Sequence, residues 1–353
     1  MKLKIINIKR LLALAMFIFS IQSIGYGQDI HFSQFFQAPL LVNPSLTGVF
    51  NGDQRAIVQY RNQWNEFAPY TTYSFSIDGG LFKKKMKDKY IGAGLYIFQD
   101  KAGEANLKTT QVHLSLSSVI AINKQQDITA GIQGGFGQNT LDESNMQWGS
   151  QYDGAGYGGG ISGEENIFEN YGFGDFSAGV AWNYGTGESN ISKNNHFSAN
   201  IGAAVYHINA PKQGLLEEPL HRQFVVHSSL NIGLPGTPLS LLPSFYLLSQ
   251  GPLKQINTGV RLRYMITEES KYTGILKESA ASIGMYYRAG DALIPTFMLE
   301  YGSYALGISY DINVSSLQEA SNRDGGVELS LRFINPNPFK YGRGKKYSTR
   351  GLL

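Results

Sequence analysis

The residues that could do chemistry in this chain are few, and their spacing assigns none of them a reaction. The six histidines (His31, His113, His196, His207, His221 and His227) include no i, i+4 pair with a Glu between, the spacing that puts two metal ligands and a base on one helix face. Cysteine is absent, which removes disulfides, thiolate metal sites, Cys nucleophiles and Cys acylation together. Gly154, Gly156 and Gly159 fit a dinucleotide fingerprint, but no strand-then-helix context surrounds them. Residues 154–163 therefore read as a flexible glycine-rich loop. Asp142, Ser144 and His196 have the residue types of a hydrolase triad, yet a triad is defined by geometry and spacing supplies none. The chain reads as non-enzymatic, with no cofactor and no metal.

Charge says more. From Gln125 to Ser192 there are nine acids and no Lys or Arg in 68 residues. Asp142, Glu143, Asp153, Glu164 and Glu165 fall there beside Trp148 and Tyr152, a mixture that suits adaptable polar contacts anchored by rings. These seven are the candidate partner-binding residues. Conversely, Asn335 to Leu353 carries Lys340, Arg343, Lys345, Lys346 and Arg350 without an acid, a basic tail suited to periplasmic partners or anionic headgroups. Four of the 30 basic residues lie in the first ten positions, and without residues 1–27 the chain is close to neutral. A nucleic-acid partner has no electrostatic footprint here.

Those first residues read as an export signal. Lys2, Lys4, Lys9 and Arg10 precede an apolar run from Leu11 to Phe19, and Gly25 and Gly27 suit cleavage before Gln28. The run is shorter than the roughly 20 residues a membrane-spanning helix needs. Residues 1–27 are thus expected to be a signal peptide.

The elements that must position everything else are strands. In Tyr304–Asn313 the even positions are Tyr, Leu, Ile, Tyr and Ile, and the odd ones Ala, Gly, Ser, Asp and Asn. Alternate side chains of a strand face opposite ways, so one face is oily and the other small or polar. The same period marks fourteen runs: 55–64, 71–80, 90–100, 106–123, 125–138, 174–184, 195–207, 222–232, 241–251, 255–265, 280–288, 293–301, 304–313 and 326–333. The run 241–251 alternates poorly. Lengths near ten suit strands that cross a bilayer at a tilt.

A soluble sandwich or propeller would bury the apolar faces, whereas an outer-membrane barrel turns them to lipid. The polar faces carry Arg61, Asp78, Arg261, Arg263, Arg288, Glu300, Asp311, Glu328 and Arg332, charges that a sandwich core would reject and a wet lumen accepts. Tyr60, Tyr73, Tyr90, Tyr184, Tyr264, Tyr301 and Phe333 near strand ends suit interfacial girdles. The expected architecture is all-β: a transmembrane barrel of about fourteen antiparallel strands over 55–334. Segment 28–54 is expected to be periplasmic or lumenal, 139–173 a long external loop, and 335–353 the basic tail. Arg61, Asp311, Glu328 and Arg332 lie on the first and last two strands, so closure is expected to join them in a lumenal charge network.

Ordered landmarks carry a family resemblance. They are Gln28-Asp29-Ile30-His31-Phe32-Ser33-Gln34-Phe35, Ala38-Pro39-Leu40, Asn43-Pro44-Ser45-Leu46-Thr47-Gly48 and Tyr60-Arg61-Asn62-Gln63-Trp64. Near the other end stand Ser309-Tyr310-Asp311-Ile312-Asn313, Leu317, Ala320-Ser321-Asn322 and Gly325-Gly326-Val327-Glu328. From about Asp29 to Phe333 the chain resembles the PorP/SprF family of Bacteroidota outer-membrane proteins; Ser45 is a conservative departure where Ala is more usual. The resemblance implies a non-enzymatic part of the type IX secretion and gliding apparatus. It further implies partners: a secreted surface protein such as an adhesin, met through its C-terminal domain, the translocon, and periplasmic peptidoglycan-binding components. The rival reading from the residues alone is a passive channel for a small solute.

Overall fold

The computed structural model describes residues 29–63, 69–83, 89–103, 107–141, 152, 171–186, 194–213, 219–268, 277–315 and 324–335. The expected signal peptide, nearly all of the long loop, and the basic tail beyond Asn335 lie outside the described residues. The chain divides into a short unit, Met1–Ile30, and a second unit, His31–Leu353, which holds the fold.

That fold is a closed antiparallel barrel of fourteen strands: β1 Gln54–Gln63, β2 Tyr70–Leu81, β3 Lys89–Ala102, β4 Leu107–Ala121, β5 Gln126–Thr140, β6 Tyr171–Thr186, β7 Phe197–Tyr206, β8 Gln223–Gly233, β9 Leu239–Gln250, β10 Leu253–Thr267, β11 Ser279–Arg288, β12 Ala292–Tyr301, β13 Tyr304–Asn313 and β14 Asp324–Asn335. Each pairs with its neighbours in sequence, and β1 closes on β14 from Gln54↔Asn335 to Gln63↔Gly326. Closure leaves no sheet edge unpaired, the condition for a sheet to sit in lipid. Every alternating run is a strand, with ends shifted by a few residues.

The oily faces point outward. Leu114, Ile132 and Ile283 are each more than 60% exposed, and Leu306, Ile308, Leu329 and Leu331 line the same outer surface. Aromatic rings mark both ends of this band: Tyr60 lies against Tyr73 at one rim, and Tyr304 against Phe333 at the other. An apolar band between two aromatic girdles is the exterior of an outer-membrane barrel. Tyr90 is the exception among the expected girdle residues. It shares the inward phase of Gly92, Tyr96 and Phe98, and its hydroxyl donates to Gly48 O at 3.1 Å.

The poor alternation of β9 has a physical cause. Its inward positions include Tyr246 and Leu248, buried against apolar residues inside the barrel, so both faces are oily. Pro243 adds a second irregularity, because it cannot donate to the ladder, and β8–β9 pairing skips from Ser229↔Ser244 to Ile232↔Leu241.

Candidate functional site

The lumen is occupied by the chain itself. Residues 31–53 run through it as a 3₁₀ turn Phe35–Gln37, a helical turn Pro39–Val42 and a second 3₁₀ turn Pro44–Leu46. The local sequence explains the turns: Pro39 and Pro44 supply a fixed φ at helix starts, and Asn43 caps the last one by accepting from Ser45 N at 2.9 Å. Phe32, Leu40, Val42, Leu46, Val49 and Phe50 are all at most 5% exposed.

At one end of the lumen four charged side chains grip residues 31–34. Glu328 on β14 accepts Ser33 N at 2.7 Å and Gln34 N at 2.9 Å. Asp311 on β13 accepts the Ser33 hydroxyl at 2.6 Å, Arg61 of β1 at 3.0 Å and Arg288 of β11 at 2.6 Å. Arg61 also donates to His31 O, and Arg288 to Ser33 Oγ at 3.2 Å. Gln34 completes the clamp, donating to Ser309 Oγ and Glu328 O and accepting from Ser330 Oγ. Buried charges persist only when paired or hydrogen-bonded, and here much of that pairing runs through the segment's backbone.

Further along, Phe35 stacks on Tyr246 with centroids 5.3 Å apart, Phe36 stacks on Tyr286, and the Arg261 guanidinium lies 3.8 Å above Phe36. Asn43 Nδ2 donates to Val180 O and Ala203 O and lies 3.0 Å from His227 Nε2. The wall is glycine where the segment comes closest: a Cβ at Gly131 would strike the Pro44 carbonyl, and one at Gly92 would strike Thr47 O. At the far end Asp78 of β2 accepts Gly48 N at 2.7 Å and pairs with Arg55, which also donates to Leu46 O. Ser117 donates to Thr47 O at 2.6 Å, and Lys83 to Gly52 O at 2.7 Å. Lys83 also lies over the Phe50 and Tyr90 rings, and burial lowers its ammonium below the ordinary lysine range.

Of the expected network, Arg61, Asp311 and Glu328 come together, and Arg332 stands apart. It faces inward near the opposite rim, 3.8 Å from Glu300, whose closer partner is Arg263 at 2.6 Å. The register explains this: Arg61 pairs with Glu328 across the seam, whereas Arg332, four residues on, is opposite Ile57. Ser33, Gln34 and Arg288 are the members that network lacked. Arg288 had the inward phase as its signal; Ser33 and Gln34 lie in a segment with no period to place them. Of the candidate partner residues only Tyr152 is described, 53% exposed; Asp142, Glu143, Trp148, Asp153, Glu164 and Glu165 lie outside the described residues. Among the described residues no group of three His, Asp or Glu could hold a metal.

No curated protein matches the sequence. Among solved structures, the Ralstonia pickettii toluene transporter TbuX aligns with a TM-score of 0.47 at 9% identity, over 85% of this chain and 94% of that one. A deletion mutant of the TodX monoaromatic hydrocarbon channel aligns with a TM-score of 0.47 at 11% identity, over the same shares. The KdgM porin in complex with oligogalacturonate gives 0.36 at 6% identity, over 78% of this chain and 98% of that one. The family model for the type IX secretion system membrane protein PorP/SprF matches residues 24–333, nearly the whole barrel with its inner segment, and the chain belongs to that family.

Proposed function

We propose that this outer-membrane barrel is a closed docking accessory of type IX secretion, which helps export, or hold at the cell surface, one particular secreted protein such as an adhesin. The observation that carries this reading is the filling of the lumen by residues 31–53, clamped at both ends. A passive solute channel needs a continuous aqueous path, and a segment with backbone hydrogen bonds to side chains of β14, β1, β2 and β4 leaves the wall facing protein. A barrel without a path acts through its surfaces. The acidic, aromatic-rich connection holding Asp142, Glu143, Trp148, Tyr152, Asp153, Glu164 and Glu165 is the proposed cargo contact, with the cargo's C-terminal secretion domain as its partner. The translocon and periplasmic peptidoglycan-binding components are the other proposed partners, the latter through the basic tail.

Two measurements test the reading. In planar bilayers the intact protein is expected to pass almost no steady current, and a large stable conductance would restore the channel. In cells, deleting 142–169 is expected to leave a heat-modifiable barrel while releasing the cargo into the medium or halting its export. Normal cargo display on a correctly folded, loop-deleted barrel would move the contact elsewhere.

A further inference from the structure

The inner segment has a direction. Its leading residues, 31–34, meet Arg61, Asp311 and Arg288 near the last residues of β1, β13 and β11, and Glu328 near the start of β14. All four lie toward the same rim. Its trailing residues meet the opposite rim: Arg55 at the start of β1, Asp78 near the end of β2, and Asn335 O, which accepts Asp53 N at 3.1 Å. The passage, residues 31–53, is twenty-three residues long. Even at the helical rise of about 1.5 Å per residue, that length exceeds an apolar band of about 25 Å.

The rim where β1 begins and β14 ends is the periplasmic one in a barrel with an even number of strands, short inner turns and longer outer loops. The two longest connections, 141–170 and 207–222, join strands at the other rim, in keeping with that assignment. We infer that residues 31–53 make a fifteenth pass through the membrane, inside the barrel and from outside to inside, so that His31 is a surface-side element while Asn335 is periplasmic. The two clamps fix this direction, because Glu328 and Asp311 hold the backbone and hydroxyl of residues 33 and 34 toward one rim, while Asp78 and Arg55 hold the backbone of residues 48 and 46 toward the other. The mouth so built fits a partner that arrives from the cell surface, an exported protein, rather than a periplasmic one; that half of the inference rests on the docking reading above.

Because the chain has no cysteine, single-cysteine labelling tests the direction without background. The probe is a membrane-impermeant maleimide added to intact cells. His31→Cys keeps the backbone carbonyl that Arg61 uses, Tyr152→Cys marks the outer rim, and Phe82→Cys, at a half-exposed position, marks the inner one. The expected result is labelling at 31 and 152 in intact cells, and at 82 only after the outer membrane is opened. Labelling of 31 only together with 82 would overturn the threading, and labelling of 82 but not 152 in intact cells would overturn the sidedness. Should His31→Cys stay silent in both conditions, an epitope inserted between Ile30 and His31 decides: antibody binding to intact cells supports the inference, and binding only after opening overturns it. Antibody bound there is expected to cut cargo display several-fold, and undiminished display overturns the partner half. A protein whose complete removal leaves cargo display intact would refute the docking reading while leaving the labelling result untouched.

Discussion

Two buried guanidiniums, Arg61 and Arg288, converge on one carboxylate, Asp311, and each is at most 4% exposed. Removing the acid leaves both cations in a poorly solvated interior, and breaking a buried pair in this way costs about 3–5 kcal/mol. Asp311→Ala is therefore expected to lower the thermal midpoint of the purified barrel by many degrees, read as loss of heat-modifiable mobility on a gel. Arg332→Ala is expected to do little. Its side chain is 25% exposed, its acid lies 3.8 Å away, and Arg263 already holds that acid more closely. Equal melting of the two variants would mean that the clamp contributes nothing beyond a partly solvated pair. Ser33→Ala should fall between them, since it removes the hydroxyl from Asp311 but keeps the backbone donor to Glu328.

At the scale of elements, the strands were legible because lipid on one side and polar surroundings on the other impose a period of two. Leu306, Ile308 and Tyr310 outward with Ser309 and Asp311 inward is that rule at work in β13. The rule fails where the inside is not wet. Tyr246 and Leu248 face inward because Phe35, Val42 and Leu46 give them an apolar surface to pack on, and no alternation could announce that. Segment 31–53 itself has neither period, since a chain surrounded on every side by wall has no solvent face. Its glycine contacts give a prediction at this scale. Gly131→Leu would drive a side chain into the Pro44 backbone, whereas Ala130→Leu on the same strand points to lipid. The first is expected to expel or loosen the segment and raise bilayer conductance several-fold over the intact protein; the second is expected to leave the current at background. If both variants are equally silent, the close approach at Pro44 is not what keeps the lumen filled.

For the whole molecule, the question is whether the closed wall must open during export. The clamp argues against it: Arg61 of β1 reaches Asp311 of β13 across β14 and donates to His31 O, while residues 33 and 34 hydrogen-bond β13 and β14, so parting the seam would strip a buried guanidinium of both partners. A docking barrel with a filled lumen works without such an opening. The seam can be locked to find out. Val58 and Leu331 are directly paired across β1 and β14, and both point to lipid at 48% exposure. Directly opposed residues of antiparallel strands lie about 4.5–5.5 Å apart at Cα, within the range a disulfide spans. In a chain without other cysteines, Val58→Cys with Leu331→Cys can form only that intramolecular bridge. The oxidised double variant is expected to show normal cargo display and a higher thermal midpoint than its reduced form. Export that stops on oxidation and resumes on reduction, with the parent chain indifferent to both treatments, would mean that the seam opens in use. The inner segment would then be a latch released at each cycle instead of a permanent filling.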